Sequence, residues 1–275
     1  MEKKDIKSLY LEELEEELEQ LGEKSFRARQ IYQWVHQKLA ADFEDMSNVS
    51  KALREKLRQQ YTLTALKPVE VKISKIDGTR KYLFRLADGN VIESVWMQYH
   101  HGNSVCISSQ VGCRMGCAFC ASGIGGLVRN LTAGEILSQV LCVNRLQGGT
   151  LDKRAVTNIV LMGSGEPLDN YDEVTEFLRL VTSDEGLNVG ERNISLSTCG
   201  LVENVRRLAD DGFTVTLTFS LHASSDEYRR SIMPIANKYT IKEIVDAAKY
   251  YFDKTGRRVI FEYTMIKGVN VNHFD

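Results

Sequence analysis

The sequence predicts an α/β fold: a partial (β/α) barrel over residues 104–275, preceded by a small helical domain over residues 1–65 and a short antiparallel β meander over 66–103. Three observations carry this expectation. Apolar residues recur at helical spacing at the start of the chain, at period two in the next segment, and in alternating strand and helix blocks from Ser104 onward.

In the first segment Leu11, Leu14, Leu18 and Leu21 mark one amphipathic helix. Phe26, Ile31, Trp34, Val35 and Leu39 mark a second, and Val49, Leu53 and Leu57 a third. The run EELEEELE is read as a solvated helix face. Lys24, Arg27, Arg29 and Lys38 lie on or near the second helix, as contacts to a phosphate backbone or as another solvated face. In the meander Val69, Val71 and Ile73 alternate with polar residues, and Asp77-Gly78 signals a hairpin turn. Tyr82, Phe84 and Leu86 continue the alternation, and Asp88-Gly89 turns the chain toward Val91 and Val95.

The strand blocks that follow are SVCISS, AVTNIVLM, RNISLST, FTVTLTFSLH and RRVIFEYTMI, with helices between them. Thr132-x-x-Glu135 and Thr240-x-x-Glu243 are capping boxes that fix two helix starts. Right-handed crossovers make such a sheet parallel, either barrel-like or open and doubly wound. The barrel-like option fits better, because the cysteine loop, GSGEPLDN, STCG and SLHAS each follow a strand, the end at which barrels place their sites. The chain stops at Asp275, directly after the fifth strand block, so the C-terminal strand or strands that would complete the barrel are expected to be missing.

Hydrophobic residues make up 43% of the chain and charged ones 26%, as in an ordinary globular protein. The net charge of −2 gives no bulk attraction to nucleic acid or anionic membrane, so an RNA-binding role requires a local patch. No apolar run approaches the roughly 18 residues of a membrane span. The charged N-terminus is unlike a signal peptide, and the reading is cytoplasmic. Six cysteines, four of them between Cys106 and Cys120, point to metal or redox chemistry rather than a disulfide framework.

Cys113, Cys117 and Cys120 form C-x3-C-x2-C. A disulfide uses two thiols and a structural zinc site usually four ligands. A [4Fe-4S] cluster held by three thiolates leaves one iron open to chelation, for which the amino and carboxylate groups of S-adenosylmethionine are suitable donors. Zinc with His100 or His101 as fourth ligand is the alternative. Gly112, Gly116 and Gly123 allow close wrapping around a cluster, and Phe119 can lie against the adenine of a cofactor.

With an aromatic before its last cysteine, the motif resembles the radical S-adenosylmethionine superfamily. The wider string VCISSQVGCRMGCAFCASGIGGLVRNLTAGEILSQV is similar to one branch of it, the RlmN-type adenine C2 methyltransferases of ribosomal and transfer RNA. The C8 methyltransferases of the Cfr type are the nearest relatives of that branch. Similarity continues through MGSGEPLDNYDEV, ISLSTCGLV, LTFSLHAS and YRRSIMPIANKY and, less strictly, through the helical N-terminus. The resemblance implies a barrel of the radical-SAM type, with Cys113, Cys117 and Cys120 as cluster ligands. It implies that Phe119, Gly165, Glu166, Ser197, Ser220, Leu221 and His222 contact the cofactor, with Gly165 and Glu166 near its amino group. It further implies Cys106 as a resolving thiol and Glu93 as proton acceptor. Cys142 and Cys199 read as packing residues.

The chemistry implied is methylation of C2 of adenosine in 23S rRNA and tRNA. That carbon is electron-poor and has no lone pair to attack a sulfonium methyl. One S-adenosylmethionine therefore methylates a protein cysteine and a second, cleaved at the cluster, abstracts hydrogen from that methyl. The resulting carbon radical adds to C2, and the thiol and the base then resolve the adduct. Implied partners are both RNAs, with the target base unstacked into the barrel mouth, and an electron donor such as flavodoxin or ferredoxin; the expected state is monomeric. The family's methyl-carrying cysteine and a downstream asparagine have no counterpart here, and GVNVNHFD departs from the family pattern. The chain is thus expected to be a truncated form that binds cluster and cofactor without turnover. The competing expectations are a zinc-bearing, non-enzymatic RNA-binding module and a C8 methyltransferase.

Overall fold

The computed structural model describes residues 3–100, 102–150 and 153–267. His101 and the segment GVNVNHFD lie outside the described residues. The chain divides into two compact units, neither continuous in sequence.

The first unit comprises Met1–Val105, Thr132–Asn158 and Asp172–Gly190. Its opening helices are α1 (Leu11–Gln20), α2 (Phe26–His36) and α3 (Lys51–Gln60). Their helical-period residues Leu14, Leu18, Ile31, Val35, Leu53 and Leu57 all point into one core with Phe43 and Met46. Each such side chain removed from water is worth about 1.5–3 kcal/mol. Ser50 caps α3 by accepting from Leu53 N at 3.3 Å. Two short strands, β1 (Lys4–Asp5) and β2 (Tyr61–Thr62), pair in parallel and tie the N-terminus to the end of α3.

The meander follows as expected: β3 (Pro68–Ile73), β4 (Arg80–Arg85) and β5 (Val91–Tyr99) are antiparallel, with Tyr82 opposite Ser94 and Phe84 opposite Ile92. Gly78 (φ 73°) and Gly89 (φ 87°) take the left-handed conformation that the two Asp-Gly turns require. The alternation of β4 and β5 buries Tyr82, Phe84, Ile92 and Trp96. That of β3 does not: Val69, Val71 and Ile73 are all exposed. Beside β5 runs β6 (Gly102–Cys106). Two longer helices belong here, α4 (Ala133–Leu146) and α5 (Tyr171–Thr182), and the capping box of Thr132 and Glu135 opens α4 as predicted.

The second unit comprises Cys106–Leu131, Ile159–Tyr171 and Glu191–Asp275. A small antiparallel ribbon, β7 (Gln110–Gly112) with β8 (Leu127–Asn130), brackets the cysteine loop. Four parallel strands stand in sequence order, β9 (Asn158–Leu161), β10 (Ile194–Thr198), β11 (Thr216–Ser220) and β12 (Val259–Glu262). Residues just after Cys106 join beside β9: Ile107 N donates to Val160 O at 2.9 Å and Gly163 N to Ile107 O at 3.0 Å. Between the strands lie α6 (Val202–Asp210), α7 (Asp226–Ile232) and α8 (Ile241–Thr255). The central strand β11 is buried from Thr216 through Phe219, as a strand covered on both faces must be. Tyr251 on α8 donates to the carbonyls of Phe213 and Val215, locking that helix to the start of β11. No helix among the described residues is long and apolar enough to cross a membrane.

Candidate active site

The predicted site residues of the second unit gather at the carboxyl ends of its parallel strands. The cysteine loop comes first. Gly112 has φ 77°, and a Cβ there would stand 2.0 Å from the carbonyl oxygen of Gly126, so only glycine permits this closure of the ribbon. Cys113 N donates to that same oxygen at 3.1 Å, and Cys120 N to Cys117 O at 3.1 Å. The three thiols grade outward: Cys113 is buried, Cys117 half-buried and Cys120 exposed. Burial pushes the Cys113 thiol above its ordinary pKa and Cys117 up to about 11. Behind them Met115, Cys199, Ile232 and Met233 form an apolar wall.

The GSGEP loop lies against the residues that lead into β7. A Cβ on Gly165 (φ 108°) would meet Gln110 Cβ at 2.6 Å, and one on Gly163 would meet the Ile107 carbonyl carbon at 2.7 Å. Both glycines are therefore demanded by backbone approach. Ser109 N and Gln110 N donate to Ser164 O at 2.9 and 3.1 Å. Glu166 is only 4% exposed, and its carboxylate is engaged inward: Oε1 accepts from Leu168 N at 3.0 Å and Oε2 from Cys199 N at 2.7 Å. Burial raises its pKa despite those bonds. The side chain thus binds the loop after β9 to the end of β10.

Residues at and just beyond the ends of β10 and β11 complete the cluster of predicted groups. Ser197 Oγ and Ser220 Oγ are 3.3 Å apart. Leu221 N and His222 N both donate to Glu262 O at 3.1 Å. His222 adopts φ 59°, unusual for a residue with a side chain, and turns the chain off the end of β11. Its Nδ1 accepts from Thr264 N at 3.1 Å, which leaves the ring proton on Nε2. Burial, aided by the charge of Arg229, lowers its pKa and favours this neutral form. The ring meets Phe119 edge-on at 4.9 Å, and Phe119, 40% exposed, keeps a free face.

Sequence reasoning overlooked three residues here. Gln110, fully buried, accepts from Glu166 N at 2.8 Å and donates to Asn130 and Asp169. Asn170 Nδ2 donates to Ser109 O and Leu131 O. Arg229 donates from Nη2 to Cys199 O at 2.6 Å and from Nε to Leu221 O at 3.1 Å. All three lie inside or beside the quoted motifs, but only the contacts they make across the fold single them out.

Cys106 is half-buried at the last position of β6, on the face opposite the buried Val105 and Ile107. Glu93 belongs to the first unit, on β5, where its carboxylate is paired with Lys81 Nζ at 2.7 Å on a partly exposed face. Cys142, also in the first unit, is half-buried and lies 3.1 Å from Leu66 O.

Three thiolates on one short loop suit an iron-sulfur cube, whose irons each take a separate sulfur. No group of three or more His, Cys, Asp or Glu side chains among the described residues stands where one metal ion could be held. A cube does not need that convergence, because each thiolate binds a different iron. His101, offered as a zinc ligand, lies outside the described residues.

Comparison with known proteins agrees. Residues 4–63 match the Ribosomal RNA large subunit methyltransferase N-terminal domain, and residues 107–275 the Radical SAM superfamily. The chain is 56% identical over 269 residues to the "Probable dual-specificity RNA methyltransferase RlmN" of Lachnoclostridium phytofermentans, covering 98% of this chain and 74% of that one. It is 55% identical to the protein of the same description from Clostridium perfringens strain 13, covering 97% and 76%. The crystal structure of a radical SAM methyltransferase from Sphaerobacter thermophilus matches with a TM-score of 0.92 at 44% identity, over 98% of this chain and 79% of that one. The predicted fold class is thereby established, as are the [4Fe-4S] cluster and S-adenosylmethionine characteristic of this superfamily. Strand-end loops built around three thiols, an N-terminal domain shared with rRNA methyltransferases and this degree of identity lead to one conclusion: the chain belongs to the RlmN family of radical S-adenosylmethionine RNA methyltransferases.

Proposed function

We propose that the chain serves methylation of C2 of adenosine in 23S rRNA and tRNA, with Cys113, Cys117 and Cys120 as the thiolates that hold the cluster. The observation that supports this reading is the meeting of the cysteine loop, GSGEP, Ser197 and the Ser220–His222 segment at one end of successive parallel strands. When bound, the reduced cluster supplies the electron that cleaves S-adenosylmethionine to a 5′-deoxyadenosyl radical.

The chain's own groups do the rest. Phe119 offers its free face to the adenine of the cofactor, and neutral His222 holds that ring edge-on. Gly165 and Glu166 lie near the amino group, where the carboxylate of Glu166 holds the surrounding loops through Leu168 N and Cys199 N. Ser197, Ser220 and Leu221 provide hydroxyl and backbone contacts. Cys106 resolves the protein–RNA adduct and Glu93 takes the C2 proton, with Lys81 as its ion-pair partner. In this scheme two molecules of S-adenosylmethionine are used for each methyl transferred, and the methyl travels on a protein cysteine. Residues 1–65 form the accessory domain past which RNA enters, 66–103 the linking meander and 104–275 the catalytic core. A flavodoxin or ferredoxin donates the electron, and the protein works as a cytoplasmic monomer.

The test begins with anaerobic reconstitution and metal analysis of the chain as it stands. The expected result is iron-sulfur absorption and formation of 5′-deoxyadenosine on reduction; zinc at one per chain without iron would overturn the reading. The chain is then assayed on 23S rRNA and tRNA with the C-terminal segment of the Lachnoclostridium relative appended. The expected product by mass spectrometry is 2-methyladenosine, and 8-methyladenosine alone would refute the assignment of position.

A further inference from the structure

Arg229 is wholly buried on α7, at 0% exposure. A guanidinium does not lose its proton in a protein, so burying one is costly unless an anion compensates it. None of its hydrogen-bond partners is an anion, and Asp226 at the start of the same helix acts on it only through space. Nη2 donates to Cys199 O at 2.6 Å and Ser220 O at 3.4 Å, and Nε to Leu221 O at 3.1 Å. Nη1 is buried and meets no hydrogen-bond partner among the described residues. A buried charge with an orphan donor, held rigidly by three carbonyls, marks a place where negative charge is expected.

The neighbourhood says which charge. The helix that carries Arg229 ends at Ile232, whose carbonyl accepts from Ala118 N at 2.9 Å, one residue past Cys117. Ile232 and Met233 pack with Cys113, Met115 and Cys199 in a single apolar cluster against which Cys117 rests. The guanidinium sits directly behind this cluster, since the carbonyl that Nη2 holds belongs to Cys199, whose side chain packs with Cys113. Three thiolates outweigh the charge of an oxidised cluster core, and reduction adds one electron more. A fixed cation nearby therefore stabilises the reduced form more than the oxidised one.

We propose that Arg229 is a positioning residue that sets the reduction potential of the cluster, its buried charge lying behind the apolar wall of the cysteine loop while Nε and Nη2 hold the carbonyl ends of β10 and β11. The inference rests on the assignment of the cluster to Cys113, Cys117 and Cys120. It is tested on the full chain by redox titration of the reconstituted cluster, followed by its electron paramagnetic resonance signal. Arg229→Gln keeps a donor but removes the charge, and Arg229→Lys keeps the charge but removes the planar fork.

At a fixed applied potential, the reduced-to-oxidised ratio should fall about tenfold in R229Q, the size expected of a unit charge within roughly 10 Å at an effective dielectric of about 20. That is a midpoint about 59 mV more negative for one electron. R229K should stay within about threefold of the wild type, even if its melting temperature drops. R229Q with full iron content and an unchanged midpoint overturns the proposal. If R229Q takes up no iron, R229K decides: a cluster of wild-type potential supports the charge, and failure equal to that of R229Q assigns Arg229 a purely structural role. A wild-type chain that binds no iron-sulfur cluster removes the underlying assignment, and this inference with it.

Discussion

Replacing His36 by leucine should flatten the acid side of the stability profile of the helical unit. His36 lies on α2 at 1% exposure, its ring 4.0 Å from that of Tyr32, and its Nε2 meets no partner among the described residues. Burial first, and the charge of Lys7 second, hold its pKa down at about 3. In the unfolded chain the value returns to about 6.5. The depressed value fixes the sign: the stability contributed by the neutral ring is complete above about pH 6.5. It is lost as the pH falls toward 3, because the unfolded chain binds a proton that the native state refuses. Each pH unit in that window removes about 1.4 kcal/mol, so lowering the pH from 7.5 to 5.0 removes about 2 kcal/mol through this residue alone. The assay is urea unfolding followed by tryptophan fluorescence, since Trp34 and Trp96, the only two tryptophans, both lie in the first unit. Other carboxylates and histidines titrate over the same range, but they cancel when the pH effect on H36L is subtracted from that on the wild type. A remaining difference under about 0.5 kcal/mol would refute the reasoning, since that is the ordinary scatter of additive effects.

Three further outcomes follow from the second unit. Gly112→Ala places a Cβ 2.0 Å from Gly126 O at φ 77°, so cluster iron per chain should fall by more than half, whereas Gly125→Ala, with nothing within 4 Å, should reconstitute normally; equal iron content would sink the argument. Glu166→Gln turns an amide donor toward one of the two backbone N–H groups at Leu168 and Cys199, at a cost of about 2–3 kcal/mol, or a melting point roughly 4–12 °C lower by calorimetry. Cys106→Ala should leave iron content untouched, and in the chain with the appended C-terminal segment it should leave RNA covalently attached to protein on denaturing gels. Free RNA methylated at the normal rate would remove Cys106 from the resolving role.

Much of this architecture was legible because its signals are local. The capping boxes at Thr132 and Thr240 sit where α4 and α8 begin, and the Asp-Gly pairs at residues 77–78 and 88–89 make the predicted turns. The loops that hold the candidate site follow strands, as the alternation of blocks required. What was missed depends on contacts distant in sequence. The seven residues of α7 are too few to show a hydrophobic period, so the buried face that carries Arg229 and Ile232 is invisible without the carbonyls it meets. The ribbon of β7 and β8 is equally short, and its strands are separated by the whole cysteine loop. A strand period also misled: Val69, Val71 and Ile73 alternate correctly, yet β3 leaves all three exposed. Nothing in GSGEP says whether its glutamate faces a ligand or the protein; the backbone donors at Leu168 and Cys199 decide that.

The inward use of polar side chains explains how this unit holds so exacting a site on loops. Segments that leave the carboxyl ends of parallel strands lose their ladder partners, and buried backbone groups must find others. Gln110 serves Glu166 N, Asn170 serves Ser109 O and Leu131 O, Glu166 serves Leu168 N and Cys199 N, and Arg229 serves Cys199 O and Leu221 O. These bonds tie each strand-end loop to its neighbours with side chains that are themselves buried, which limits the ways the loops can move apart. Glycine at residues 112, 163 and 165 brings the backbones close enough for the network to form. The thiols stand outside it. Burial of Cys113 and Cys117 disfavours free thiolates, and metal coordination, with its own positive charge, offsets that cost for the ionised sulfur. A rigid polar frame with sulfur left over is therefore the arrangement expected of a loop that becomes fully stable when its cluster is assembled.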